Sequence, residues 1–203
     1  MNERDALMRA ICDNPDEDTP RLVFADWLQE NGDQARAEFI RVQIDAVRER
    51  PRRRRTLLAR AAELLAEHRE RWLAELPDEH GWVWCEPFRR GFVEELLVTS
   101  DMPTPPHDPD TALAFVAAPI VTFVIGENTI RPWIRHLRHV RTLTLHDCPL
   151  TLADAVAICS PDLGMRPTRV AIHACAQNVD EGAAELIRAR FGDVLDAHIE
   201  RVE

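Results

Sequence analysis

A chain of 203 residues is long enough for one large domain or two small ones with a substantial apolar core. It has no run of eighteen apolar residues, and its first stretch, MNERDALMRAICDNPDED, is charged where a secretion signal needs an apolar core; a cytoplasmic protein with no membrane partner is expected. The balance of 25 basic against 35 acidic residues, a formal net charge of -10, disfavours nucleic acid as the main partner.

All the basic residues are Arg, with no Lys and no Tyr in the chain. Five cysteines, an odd number without a C-x-x-C pair, predict reduced thiols rather than a disulfide framework or a zinc ribbon. Residues 2 to 12 place Ala6, Leu7, Ala10 and Ile11 at helical spacing, and Asn14-Pro15 stops the run. A second helix is predicted from Thr19 as N-cap and Pro20 as first helical residue, through Leu22, Val23, Ala25, Trp27 and Leu28, to Asn31-Gly32. A third runs from about Ala35 to Arg48, with Ala37, Phe39, Ile40, Ile44 and Val47 near one side. The acidic loop Asp13, Asp16, Glu17 and Asp18 fits capping and solvation better than calcium, because it lacks the EF-hand glycine and distal glutamate.

The elements D-T-P-R-L-x-x-A-D-W-L at Asp18 to Leu28, Gly32-Asp33, and R-A-E-F-I-R at Arg36 to Arg41 resemble the bacterial repeat-companion domain. That is a short helical module often followed by leucine-rich repeats, and the resemblance spans roughly residues 2 to 45. It implies an architecture and no enzymatic activity.

Between Arg48 and Arg55 six Arg surround Pro51, the one strongly basic run. Taken alone it suits phosphate or an acidic protein surface. A solvated hinge is the plainer expectation, because Glu63, Glu67, Glu70 and Glu75 follow within a few turns. Residues 56 to 76 predict a long amphipathic helix ended by Pro77. The segment FRRGFVEELLV then resembles the stretch that opens the repeat region in repeat-companion proteins.

From here the apolar spacing follows the leucine-rich-repeat template L-x-x-L-x-L-x-x-N/C-x-L. It fits in full at Ile120, Phe123, Ile125, Asn128 and Ile130, and again at Val140, Leu143, Leu145, Cys148 and Leu150. Val93, Leu96 and Val98 give a repeat degraded at Asp101-Met102; Val170, Ile172 and Cys175 give a loose one with Pro167 in an apolar position. Val194, Ala197, Ile199 and Val202 form a weak fifth. A Pro-rich loop, Met102 to Pro109, and a short helix near Asp110 to Ala117 are expected after the first repeat. Helical patterns at Leu152 to Cys159 and Glu181 to Phe191 predict strand-then-helix units, an α/β class with a short solenoid and a curved parallel sheet.

Two H-x-C pairs, His146-Asp147-Cys148 and His173-Ala174-Cys175, resemble zinc ligands in type. The template turns Cys148 and Cys175 inward and His146 and His173 outward, so neither a metal nor a Cys-His nucleophile is expected. No Gly-rich phosphate loop, G-x-S-x-G elbow or H-E-x-x-H helix is present. The five Trp fit core or capping positions better than base-stacking platforms. What the template supplies is a surface of outward strand positions: Glu94, Glu95, Leu97, Val121, Val124, Arg141, Thr144, His146, Arg169 and His173. Its mixture of acid, apolar and Arg/His suits a protein partner, and repulsion between protonated His146 and His173 would make binding pH-sensitive.

The expected organisation is a three-helix repeat-companion module over 1–48, a basic hinge, long helix and N-terminal cap over 49–91, and degenerate leucine-rich repeats over 92–203. The expected function is non-enzymatic recognition of another protein, as adaptor, regulator or inhibitor, without cofactor or metal. The alternatives are nucleic-acid association through Arg48 to Arg55 and a His/Cys-dependent enzyme.

Overall fold

The structure, a computed structural model, describes residues 2–78, 81–99, 118–126, 130, 131, 133, 134, 137, 140–160, 167–175, 179–192 and 195–200, with 174, 175 and 195–200 described for the backbone alone. The chain divides into two compact units. The first comprises residues 1–78, 86–94 and 113–119; the second comprises 79–85, 95–112 and 120–203. The expected Pro-rich loop, the short helix near Asp110 and the template positions Asn128, Val194 and Val202 lie outside the described residues.

Among the described residues the first unit holds four helices: α1 (Glu3–Asp13), α2 (Thr19–Glu30), α3 (Gln34–Arg48) and α4 (Pro51–Leu73). Asn2 caps α1 and forms a reciprocal capping box with Asp5, which satisfies two otherwise orphaned backbone donors. Asp33 caps α3 through the Arg36 amide. The N-cap of α2 is Asp18 rather than Thr19, with no side-chain capping bond; the fixed φ of Pro20 starts the helix instead. Met8, Ile11, Phe24, Ala25, Leu28, Ala37, Ile40 and Ile44 meet in one core, which Phe92 completes.

Two boundaries differ from expectation. The basic run is not a hinge: only Glu49 and Arg50 separate α3 from α4, and Arg52 to Arg55 form the first turns of α4. Pro51 explains the early start, since the first helical position costs a proline no hydrogen bond. Residues 86–94, expected to lead into the repeats, belong to the helical unit. The Gly91 amide donates to Gln43 Oε1 at 2.7 Å, and Gln43 Nε2 donates to the Phe88 carbonyl at 3.2 Å. Gly91 has φ +91°, and a Cβ there would lie 2.3 Å from Ile40 Cγ1, so both backbone and space require glycine.

The second unit holds a six-stranded sheet in the order β1 (Trp82–Cys85), β2 (Glu95–Val98), β3 (Thr122–Gly126), β4 (Thr142–His146), β5 (Arg169–Cys175) and β6 (Leu195–Glu200), with α5 (Leu152–Cys159) and α6 (Glu181–Phe191) in the β4–β5 and β5–β6 connections. β1 pairs antiparallel with β2, and every later pair is parallel, so the class is α/β with a mixed, mostly parallel sheet. Thr151 caps α5 in a second capping box, with Asp154.

Burial alternates along the strands. Leu96 and Val98, Phe123 and Ile125, Leu143 and Leu145, and Val170 and Ile172 are buried, and they are in register, so each apolar residue stacks on the next strand's. Trp133 lies 6.1 Å from Trp82 and 5.6 Å from Phe123 and is fully buried. The last strand departs from its predicted register by two residues: Val170 pairs with Leu195 and Ile172 with Ala197, where the template pairs Val170 with Ala197.

Candidate functional site

The buried rows of the second unit leave their alternates on the opposite face. The register aligns Glu95, Thr122, Thr142 and Arg169 in one row, and Val83, Leu97, Val124, Thr144 and Ala171 in the next. A third row holds Gly126, His146 and His173, followed by the backbone position of His198. Strand spacing is about 4.8 Å, so one row spans four strands in roughly 15 Å. That is the length of four or five residues of extended chain.

Of the ten sequence-predicted positions, nine fall on or beside this face. Glu95, Leu97, Val124 and Thr144 are half-exposed strand residues. Val121 and Arg141 are half-exposed just before β3 and β4, where the Val121 carbonyl accepts the Arg141 amide at 2.8 Å. Arg169 and His146 are exposed, and His173 is half-exposed. The imidazoles of His146 and His173 stack with centroids 4.7 Å apart and planes 14° from parallel. This row therefore presents ring faces to one another rather than converging nitrogen atoms.

Glu94 is the correction. It precedes β2, is only 7% exposed, and belongs to the helical unit. Its Oε1 lies 2.8 Å from Arg21 Nη2 and 3.3 Å from Arg90 Nη2. Burial pushes the Glu94 carboxyl upward from its usual range while the two guanidiniums pull it back; burial likewise lowers Arg21, against the pull of Glu94. An alternating template reads only apolar period, and a carboxylate one residue before a strand looks like an outward position.

Cys148 takes the inward place assigned to it. It is buried, and its thiol donates to the Ile125 carbonyl at 3.2 Å, which fixes the end of β4 to the strand before. Asp147 beside it has φ +49°, and its amide donates to the His173 carbonyl at 2.7 Å, so the chain turns sharply between the exposed imidazole and the buried thiol. Among the described residues no group of three or more His, Cys, Asp or Glu side chains is arranged to hold a metal.

The helical unit carries a concavity that sequence reasoning did not single out. It is a cleft of about 540 Å³ between α3, α4, the loop before α2 and residues 88–94. Its parts were visible separately, as the basic run and the FRRGF segment. Their meeting depends on Gln43 and Gly91, residues whose polar link has no periodic signature.

Compared with known family models, curated proteins and solved structures, the chain matches none of them. The resemblance of Asp18 to Arg41 to a repeat-companion module thus rests on those residues alone.

Proposed function

We propose that this chain is a recognition protein, with a repeat-companion helical module and an array of degenerate leucine-rich repeats whose open strand face binds a segment of another protein. The observation that carries this reading is the row Leu97, Val124 and Thr144, half-exposed and in register across β2, β3 and β4. Two aliphatic side chains side by side on a solvent-facing sheet form a small apolar strip. Glu95 borders it on β2, and Arg169 and the paired imidazoles border it on the later strands. An apolar centre with charged groups of both signs at its rim is the make-up of a protein contact, and the opposed charges orient the partner segment.

The motif residues favour an architectural role for the helical module. Arg21 of the D-T-P-R-L element and Arg36, Ala37, Phe39 and Ile40 of the R-A-E-F-I-R element are all buried. Their side chains hold the core together instead of facing a ligand.

The test is affinity isolation of the tagged full-length protein from its native cells, beside a variant with Glu95, Arg141 and Arg169 changed to alanine and a second variant Val124→Glu. A stoichiometric protein is expected with the parent and lost with both variants. Recovery of the same protein with Val124→Glu would overturn the strand face as its binding surface.

A further inference from the structure

The cleft of the helical unit has walls of three kinds. Ala46 and Val47 on α3, Leu58 on α4 and Phe88 supply apolar surface; Val47 is 69% and Leu58 46% exposed. Asp16, Asp18 and Glu94 supply acids, and Arg54, Arg89 and Arg90 supply guanidiniums. Gln43 at the base is held at both ends of its amide, by the Phe88 carbonyl and the Gly91 amide. The site is therefore a shaped concavity within the size range of ligand sites.

Its charges do not cancel evenly. Asp18 lies 2.5 Å from Arg48 and 3.8 Å from Arg90. Glu94 is engaged by Arg21 and Arg90, and Arg90 also donates to the Pro15 and Asp16 carbonyls. Arg54 and Arg89, by contrast, make no ion pair among the described residues, and both are exposed. Arg54 also sits in the first turn of α4, which has no acidic residue in that turn and no side-chain cap. A cation at that end opposes the helix dipole, so an anion there relieves two unfavourable terms at once.

We propose that this cleft binds an acidic peptide of a partner protein, one or two carboxylates lying between Arg54 and Arg89 and an adjoining aliphatic or aromatic side chain resting on Val47, Leu58 and Phe88. Guanidiniums favour planar carboxylates, which they hold bidentately. Val47, Leu58 and Phe88 line the same cleft as the two guanidiniums, so the occupant needs both anionic and apolar parts. Neighbouring residues of an acidic-apolar peptide supply both, and a bare inorganic anion lacks the second. The site belongs to the helical unit and stands whether or not the strand face binds a partner.

The experiment uses the full chain and a set of fluorescein-labelled hexapeptides with two adjacent Asp or Glu flanked by Leu, Ile or Phe, each beside its Asn or Gln analogue, followed by fluorescence anisotropy. Acidic members are expected to bind, and each loss of one guanidinium contact costs roughly tenfold in affinity. Arg54→Glu with Arg89→Glu should then abolish binding, Leu58→Asp weaken it, and Asp16→Asn tighten it by removing a like charge. Arg55→Glu reverses one charge on the same helix, as Arg54→Glu alone does, but does not line the cleft, and should leave affinity within about twofold where Arg54→Glu alone weakens it. Equal loss with Arg55→Glu, equal binding of the amide analogues, displacement of the peptide by equimolar inorganic phosphate, or no binding by any acidic member would each overturn the proposal. All the substituted positions but Asp16 and Leu58 are exposed arginines, and circular dichroism of each variant reports whether the fold persists.

Discussion

In the helical unit two of the most deeply placed side chains are guanidiniums, whereas the core of the strand unit consists of apolar rows stacked in register. Arg21 is completely buried, and its Nη2 meets a carboxylate, Glu94, and the Pro15 carbonyl. Arg36 is nearly as buried but lies over rings: its Cζ is 4.6 Å from the centroid of Trp72, 5.3 Å from Phe88 and 5.6 Å from Phe92. Burial lowers Arg36 to about 10. In the strand unit Leu96, Phe123, Leu143 and Val170 follow one another across four strands with no charged group among them. Among the described residues Arg21 has Glu94 as its one carboxylate partner at ion-pair distance, while an apolar row shares its loss among neighbours. The helical unit is accordingly specific and brittle, and the strand unit tolerant.

The largest expected effect is the removal of that one partner. Glu94→Ala leaves Arg21 as an uncompensated charge and should cost about 3–5 kcal/mol. Hydrogen exchange followed by mass spectrometry should show α1–α3 opening before the strands do. Replacing both partners, Arg21→Met with Glu94→Leu, should restore most of that loss; a double variant as unstable as the single one would remove the distinction. In the strand unit Leu143→Ala should cost about 2–5 kcal/mol through a cavity, read as lost protection in β3, β4 and β5. Arg36→Met retains volume and ring contact, forfeits a cation–π interaction of about 1–2 kcal/mol, and is milder than Glu94→Ala. Thr144→Val, on the open face, should change stability by less than about 0.5 kcal/mol.

Thiols sharpen the same contrast. Burial, with Asp13 nearby, pushes Cys12 up to about 12. The folded chain thus holds a proton that the unfolded chain releases near pH 8.5–9. The stability Cys12 contributes is fully present below that range and lost as pH rises toward about 12. Chemical denaturation between pH 8 and 10.5 should show a falling midpoint whose slope is shallower in Cys12→Ala. Iodoacetamide at pH 8 should spare Cys12 in the native protein and modify it in denaturant.

Much of this fold is legible in residue spacing, and the exceptions share a cause. Phe123 and Ile125, Leu143 and Leu145, and Val170 and Ile172 reveal their strands because burial on one face imposes a period of two. The same spacing places Leu97, Val124 and Thr144 on the opposite face. The helices are legible from Pro20 and their apolar stripes, while the Asp33 cap of α3 emerges only in the structure. Residues 86–94 mislead because their tie to the helices is made by Gln43, Gly91 and Glu94, a polar and long-range set that carries no period. The start of α4 misleads because charge suggested a hinge where Pro51 begins a helix. The offset at β6 arises where Gly192 ends α6 with φ +39° and the next strand begins at Leu195, sooner than a repeat of constant length places it.

The register has a consequence for how such a chain can change over generations. Glu95, Thr122, Thr142 and Arg169 occupy one row although they stand 27, 20 and 27 residues apart. The seven-residue difference falls outside the paired strands, which keep their alignment. Duplication or loss of a whole segment between equivalent positions therefore returns the next strand to the same row, and the surface gains or loses one column without being scrambled. A single residue inserted inside β3 or β4 has the opposite outcome, turning the apolar side chains beyond it outward. Inheritance can thus widen or narrow this face in large steps, while the interior of each strand is confined to substitution.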